Sequence, residues 1–315
     1  MLSRRHLRLK ALQSLYAYFL SSDFEITKSE KELFRSIEKI YDLYLSKLQF
    51  LIELRHVAKK ITEENKLKHL PSAEDLNPNL SFIENKILDL LEKNTQLNYL
   101  CTSRKINWGN DYETVKKIFN QIRESDEYSN YLLKKDKSFI DDLNFIVDIF
   151  TNYIAENEFL EFLYEEESIF WTDDFFLVNS MVIKTLKMFT EKSNENFELL
   201  TLYKDPEDEK EFISKLFRFT IVNTDKYQEY IISKLKNWEP DRIAFMDMVI
   251  MKMALCELIN FPSIPVKVTL NEYIELSKDY STDKSKIFIN GILDKLIAEL
   301  KASGVINKVG RGLVE

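Results

Sequence analysis

Breaks are scarce along this chain. Only five glycines and six prolines interrupt its 315 residues, and the apolar residues between them recur at spacings of three and four rather than two. That period belongs to amphipathic helices, so the sequence predicts an all-α fold of long helices. With 45% hydrophobic residues at this length, there is material for two domains and a sizeable core. Cys101 and Cys256 stand far apart, with no His or second Cys beside either. They offer neither a metal-ligand spacing nor a disulfide framework, and a reducing cytoplasm is the expected home. No apolar run approaches the length of a membrane span, and the N-terminus lacks a secretory stretch.

The formal net charge is -8, yet the first twenty-two residues, MLSRRHLRLKALQSLYAYFLSS, carry Arg4, Arg5, Arg8 and Lys10 and no acid. Cations that neutralise phosphates release condensed counterions, so a short basic segment on an acidic body suits local contact with a nucleic acid. A solvated helix end is the plainer account of the same residues. A helix from about Arg4 to Ser21 is predicted, with Leu7, Ala11, Leu15 and Phe19 as its apolar stripe and His6, Lys10 and Gln13 on the opposite side.

A long heptad-like segment follows over 29–61, then a loop with Pro71 and Pro78, and helices near 82–100 and 112–123. Beyond Asp136 the chain suggests an internal repeat. Phe139, Ile140 and Leu143 match Phe212, Ile213 and Leu216 at an offset of 73; Trp171, Asp174, Met181, Val182 and Ile183 match Trp238, Asp241, Met248, Val249 and Ile250 at an offset of 67. Each copy would be a helix, a corner holding Trp and an apolar helix, with 139–189 repeating 212–257. Chance agreement between apolar helices is the alternative. Asp241 is placed to cap a helix carrying Met246, Val249, Ile250, Met253 and Leu258, and Pro265 to open the next. Gly291 inside the last helix suggests a closely approaching neighbour, and SGVINKVGRGLVE reads as a mobile tail.

The segment from Trp238 to Leu296 resembles the C-terminal part of the NusB family of transcription antitermination factors. The resemblance rests on Trp238, Arg242, Asp247, Ile250, Ala254, Leu255, Glu257 and Leu258. Pro265, Lys267, Val268, Asn271, Glu272, Glu275, Leu276 and Lys278 continue it, and Ser285, Phe288, Asn290, Gly291, Leu293, Asp294 and Lys295 complete it. The N-terminal SRRHLRLKALQSLY is similar to the family's arginine-rich opening through Arg4, Arg5, Arg8, Ala11, Leu12, Gln13, Leu15 and Tyr16. Residues 1–24 and 206–300 would form the family's helical bundle of two small subdomains. Residues 25–205 would be an inserted extra helical lobe, and 301–315 a flexible tail.

The resemblance implies a non-catalytic factor without cofactors. Such a factor binds boxA-like single-stranded RNA together with NusE, a small-subunit ribosomal protein, within an RNA polymerase antitermination complex on ribosomal RNA operons. It points to Arg4, Arg5, Arg8 and Lys10 for phosphates and Gln13 for a base edge. It also points to Lys284, Lys286 and Phe288 in the run that reads SHKF in the family, and to Asp247 for the protein partner. Here Lys286 and Ile287 replace the family's His and Lys, which weakens any carry-over of sequence preference.

Two other readings stay open. One is an adaptor working through the acidic insertion, whose lobe would compete with phosphate if folded over the basic N-terminus. The other is an RNA-modification accessory domain, since NusB-like domains also precede methyltransferase domains; no Gly-rich strand-turn-helix able to hold a methyl donor occurs in the insertion. Glu165, Glu166 and Glu167 lie in a general acidic run with no His nearby, as on a solvated face. Asn271, Glu272 and Asp294 read as structural hydrogen-bonding residues.

Overall fold

The structure, a computed structural model, describes residues 2–21, 25–109, 111–235 and 243–314. Among these the regular elements are all helical, and none is long and apolar enough to cross a membrane. The chain divides into two compact units, one over 38–202 and the other formed by 2–37 with 203–315.

The second unit is built from α1 (Arg4–Leu20), α11 (Pro206–Val222), α12 (Thr224–Ile232), α13 (Phe245–Asn260), α14 (Val266–Tyr280) and α15 (Ser285–Ala302). The first residues of α2 (Ile26–Lys66) belong to it as well. Helix α13 is its centre, packed against α1, α11, α12, α14 and α15. That position explains its composition: an unbroken run from Val249 to Leu258 is buried, and a helix apolar all round must be enclosed. Helix α1 buries Leu7, Ala11, Leu12, Leu15 and Tyr18, each large side chain contributing roughly 1.5–3 kcal/mol. Tyr18 meets Phe217 edge-on at 6.3 Å. Pro206 stands at the start of α11, where its missing N–H costs nothing, and the Asp205 carboxylate accepts the Asp208 N–H at 3.2 Å. Asp241, the expected cap of α13, and Trp238 and Arg242 lie outside the described residues.

The first unit contains the rest of α2 with α3 (Ala73–Leu76), α4 (Lys86–Lys93), α5 (Thr95–Arg104), α6 (Tyr112–Arg123) and α7 (Asp126–Leu133). It continues with α8 (Phe139–Ile149), a π-helical turn (Phe150–Ala155), α9 (Glu158–Glu167), a 3-10 turn (Ile169–Trp171) and α10 (Phe175–Met188). Aromatic side chains make much of its core. Phe82, Phe119, Tyr128 and Phe145 form one cluster, and Trp108 and Trp171 flank the buried Tyr164 at 5.6 Å each. Their polar atoms are satisfied: Trp108 Nε1 donates to the Ser46 carbonyl at 3.1 Å and Trp171 Nε1 to the Lys39 carbonyl at 2.7 Å. The proposed repeat runs as α8 through α10 in this unit and α11 through α13 in the other. Its two halves therefore sit in different packing environments, and the second Trp corner lies outside the described residues.

Two expectations change. The tail is packed rather than mobile: Ile306, Lys308 and Gly312 are buried. The Lys308 ammonium donates to the carbonyls of Phe261 at 2.9 Å and Glu257 at 3.4 Å, supplying donors where α13 ends without them. Burial pulls that ammonium down to about 8, against the opposing charge of Glu257. Gly291, in turn, faces nothing: an added Cβ would meet no atom within 4 Å. At Gly312 the same atom would fall 2.0 Å from the Pro262 carbonyl oxygen, so the close approach is made in the tail and not in α15.

In the first unit, Lys47 is buried and donates to Asn179 Oδ1 at 2.6 Å and to the Ala155 carbonyl at 3.4 Å. Asn179 Nδ2 donates to that same carbonyl at 2.6 Å, so side chains satisfy the oxygen that ends the π turn. Only neutral acceptors touch the ammonium. Burial lowers its pKa to about 8, while the charge of Glu161 opposes the shift.

Two measurements check these points. Urea unfolding of Gly291→Ala is expected to show a gain of about 0.5–1 kcal/mol from helix propensity, whereas Gly312→Ala loses stability and exposes the tail to limited proteolysis. For Lys47, the unfolded chain holds its proton up to about 10.5 while the folded chain releases it near 8. The unfolded state thus binds more protons in that window, and stability rises with pH across it by about 3 kcal/mol. The rise appears as the difference between wild type and Lys47→Met in urea titrations from pH 7 to 10.5; parallel curves would contradict it.

Candidate nucleic-acid interface

The basic residues of α1 part company according to the side of the helix each occupies. Arg8 shares a stripe with Ala11, Leu12 and Leu15 and is buried with them. Its guanidinium grips Glu257 on α13 in a fork, Nε to Oε2 at 2.7 Å and Nη2 to Oε1 at 2.9 Å, and Nη1 reaches Glu272 on α14 at 3.3 Å. Glu257 is fully buried and also accepts from Thr269 Oγ1 at 2.8 Å and Tyr273 Oη at 3.2 Å. Burial, and then the charge of Glu257, holds the Tyr273 hydroxyl well above its usual range, so it remains a donor. A planar fork is the cation best suited to a buried carboxylate, because it pairs both oxygens at once. The phosphate contact expected of Arg8 is thus replaced by an internal ion pair. Lys10 is likewise buried and Gln13 half-buried, although both were expected on the open side.

Arg4 and Arg5 remain at the surface. Arg4 lies over the Phe212 ring at 4.9 Å and pairs with the exposed Asp208 at 2.7 Å, and Arg5 stands 3.5 Å from the exposed Asp279. Exposed pairs of this kind contribute at most about 1 kcal/mol and are screened by salt, so a phosphate can displace the carboxylate. His6 accepts the Ser3 N–H at 3.2 Å and stands at the first turn of α1. Burial, then Arg5 and Lys10, lowers its pKa, which keeps the imidazole neutral near pH 7 and leaves the positive charge to the arginines.

Three helices converge on Glu275 of α14. Its carboxyl is held below the ordinary range by the hydrogen bond from Lys278, against burial, and then by the charges of Lys278, Arg5 and Lys286. Arg5 from α1 and Lys286 from the start of α15 therefore act at one place, a convergence that separations of more than 280 residues do not announce. Lys284 and Lys286 are exposed on the first turn of α15, Ile287 is exposed and Phe288 is half-buried. The result is a basic rim with an aromatic ring and an apolar side chain beside it, which are the components that hold single-stranded nucleic acid. Lys278, Glu275 and Asp279 belong to this rim and were not singled out from sequence.

Asp247, expected to face a protein partner, is buried instead. It accepts from Ser285 Oγ at 2.8 Å and from Ser281 Oγ, tying the end of α14 and the first turn of α15 to α13. Its carboxylate holds the loop that presents Lys284 and Lys286. Among the described residues, no group of three His, Cys, Asp or Glu side chains is arranged to hold a metal ion.

This is a small all-helical unit with a basic rim, built on a buried arginine-carboxylate pair. Residues 178–298 match the model of the NusB family. Three similar proteins are each described as transcription antitermination protein NusB. That of Chloroherpeton thalassium is 43% identical over 106 residues, covering 34% of this chain and 50% of its own. That of Salinibacter ruber is 40% identical over 105 residues, covering 33% and 66%, and that of Natranaerobius thermophilus is 39% identical over 90 residues, covering 29% and 65%. The chain thus spans between half and two thirds of the length of these curated relatives. A solved structure titled T. maritima NusB is 24% identical and covers 45% of this chain and 85% of its own at a TM-score of 0.29. That score is too low to bear on the architecture.

The burial of Arg8 sets its replacement apart from that of any rim residue. Arg8→Ala leaves Glu257 buried and uncompensated, and a loss of about 3–5 kcal/mol in urea unfolding is expected. Arg8→Lys recovers only part of it, because an ammonium cannot pair both oxygens in a plane. Unfolding midpoints unchanged from wild type in both variants would contradict the structural role.

Proposed function

We propose that the chain is an RNA-binding transcription antitermination factor without catalysis of its own. In this reading it engages boxA-like single-stranded RNA together with a NusE-type small-subunit ribosomal protein and acts within an RNA polymerase antitermination complex on ribosomal RNA operons in the cytoplasm. One observation carries the RNA-binding part: Arg5, Lys278 and Lys286, from three helices, act together on Glu275 at an exposed rim. The curated relatives, all described as transcription antitermination proteins, support the process in which that rim works. The proposed contact set is Arg4, Arg5, Lys278, Lys284 and Lys286 for phosphates, with Phe288 beside them for a base. Arg8 and Asp247 serve it indirectly, one fixing α1 against α13 and the other fixing the start of α15.

The test is a titration of a fluorescent boxA RNA and a scrambled control with wild type, Arg5→Ala and Lys286→Ala, with and without the ribosomal protein, at several salt concentrations. Partner-enhanced, sequence-selective binding is expected for wild type. Each substitution is expected to weaken binding and lower the salt slope by about one while leaving the melting temperature unchanged. Equal slopes for all three proteins would remove these residues from the interface, and no partner enhancement would remove the ribosomal protein.

A further inference from the structure

The first unit carries a surface of opposite character. From Glu156 to Asp174 the chain holds eight carboxylates and no Lys or Arg, and Glu156, Glu158, Glu165, Glu166 and Glu167 are exposed. Large apolar side chains stand among them in the open: Phe162 is 57% exposed, Ile169 82% and Phe176 83%. Single exposed apolar residues need no explanation, but several on one short corner mark an interaction surface.

The corner is built on buried rings. Behind it Tyr164, Trp171 and Phe175 are buried, with ring centroids 5.6 Å apart between Tyr164 and Trp171 and 6.2 Å between Tyr164 and Phe175. Trp171 is fastened through its Nε1 to the Lys39 carbonyl. Each exposed anchor lies within two residues of one of these buried rings: Phe162 is two before Tyr164, Ile169 two before Trp171, and Phe176 follows Phe175. The backbone that carries the outward side chains is therefore anchored by packed rings, which lowers the ordering cost of association.

We infer that the corner formed by α9, the Ile169–Trp171 turn and the start of α10 is a docking surface for a Lys/Arg-rich amphipathic protein segment, whose apolar side chains seat on Phe162, Ile169 and Phe176. Charge complementarity selects this occupant. A nucleic acid is repelled by the glutamates, and a second copy meeting this corner through its own corner would set like charge against like. The aromatic anchors supply most of the affinity and the carboxylates supply steering. The inference is independent of the RNA reading, since it uses residues outside the basic rim.

The test uses the full chain and a fluorescent helical peptide of Lys and Leu, with Leu at positions i, i+3, i+4 and i+7. A Lys/Ser twin and a Glu/Leu twin are the controls, and binding is followed by anisotropy. Salt-sensitive binding of the Lys/Leu peptide is expected, weakened about tenfold or more by Phe162→Ser with Phe176→Ser. Glu165→Lys with Glu166→Lys is expected to weaken it similarly, and Arg5→Ala to leave it unchanged. Circular dichroism and melting temperature should stay at wild-type values, because every substituted residue is exposed. Undiminished binding in either double variant, equal binding of the Glu/Leu twin, or no binding by wild type overturns the inference. Concentration-dependent dimerisation of wild type that Phe162→Ser with Phe176→Ser abolishes overturns it too, by making a second copy the occupant.

Discussion

One buried ion pair organises the unit that contains α1 and α13. Glu257 lies in the largely apolar α13 and is fully enclosed, where an isolated carboxylate would be prohibitively costly. It is stable there because Arg8, Thr269 and Tyr273 surround it with donors from α1 and α14. The pair therefore does more than join two residues. It sets the position of α1 across α13, and so decides where Arg4 and Arg5, three and four residues earlier on the same helix, emerge at the surface. Any other seating of α1 would strand a charge in the core, which makes this arrangement specific as well as stable.

A second internal contact does the same for the far side of the rim. Asp247 holds Ser281 and Ser285, fixing the turn between α14 and α15 from which Lys284 and Lys286 project. The two acids buried in α13 thus orient basic residues that contact neither of them. Basic side chains that look equivalent in the sequence divide into those that build the unit and those left free to exchange partners with solvent ions.

The other unit reaches order by different means. Its core relies on rings whose polar atoms bond to backbone carbonyls, and it admits one buried ammonium, Lys47, on neutral acceptors beside the π turn. Its surface between 156 and 174 is acidic and apolar together, opposite in charge to the rim that holds Arg5, Lys278 and Lys286. Surfaces of unlike charge thus lie on separately packed units.

Sequence alone determined the helical class, most helix positions, the NusB resemblance and the basic character of the N-terminus, because periodicity, proline and glycine placement and charge are local properties. It also contained the signal that placed Arg8 inside, since Arg8, Ala11, Leu12 and Leu15 share one stripe and Glu257 interrupts an apolar helix; the charge of Arg8 masked it. Gly291 and Gly312 were indistinguishable by type, and only packing showed that the second meets a carbonyl and the first meets nothing. Asp247 likewise shows no sign of its burial until α14 and α15 fold back upon it. What the tertiary structure decided was which charges are neutralised internally and which converge, as Arg5 and Lys286 do across some 280 residues of chain, because burial and long-range proximity depend on how helices pack and not on their order along the sequence.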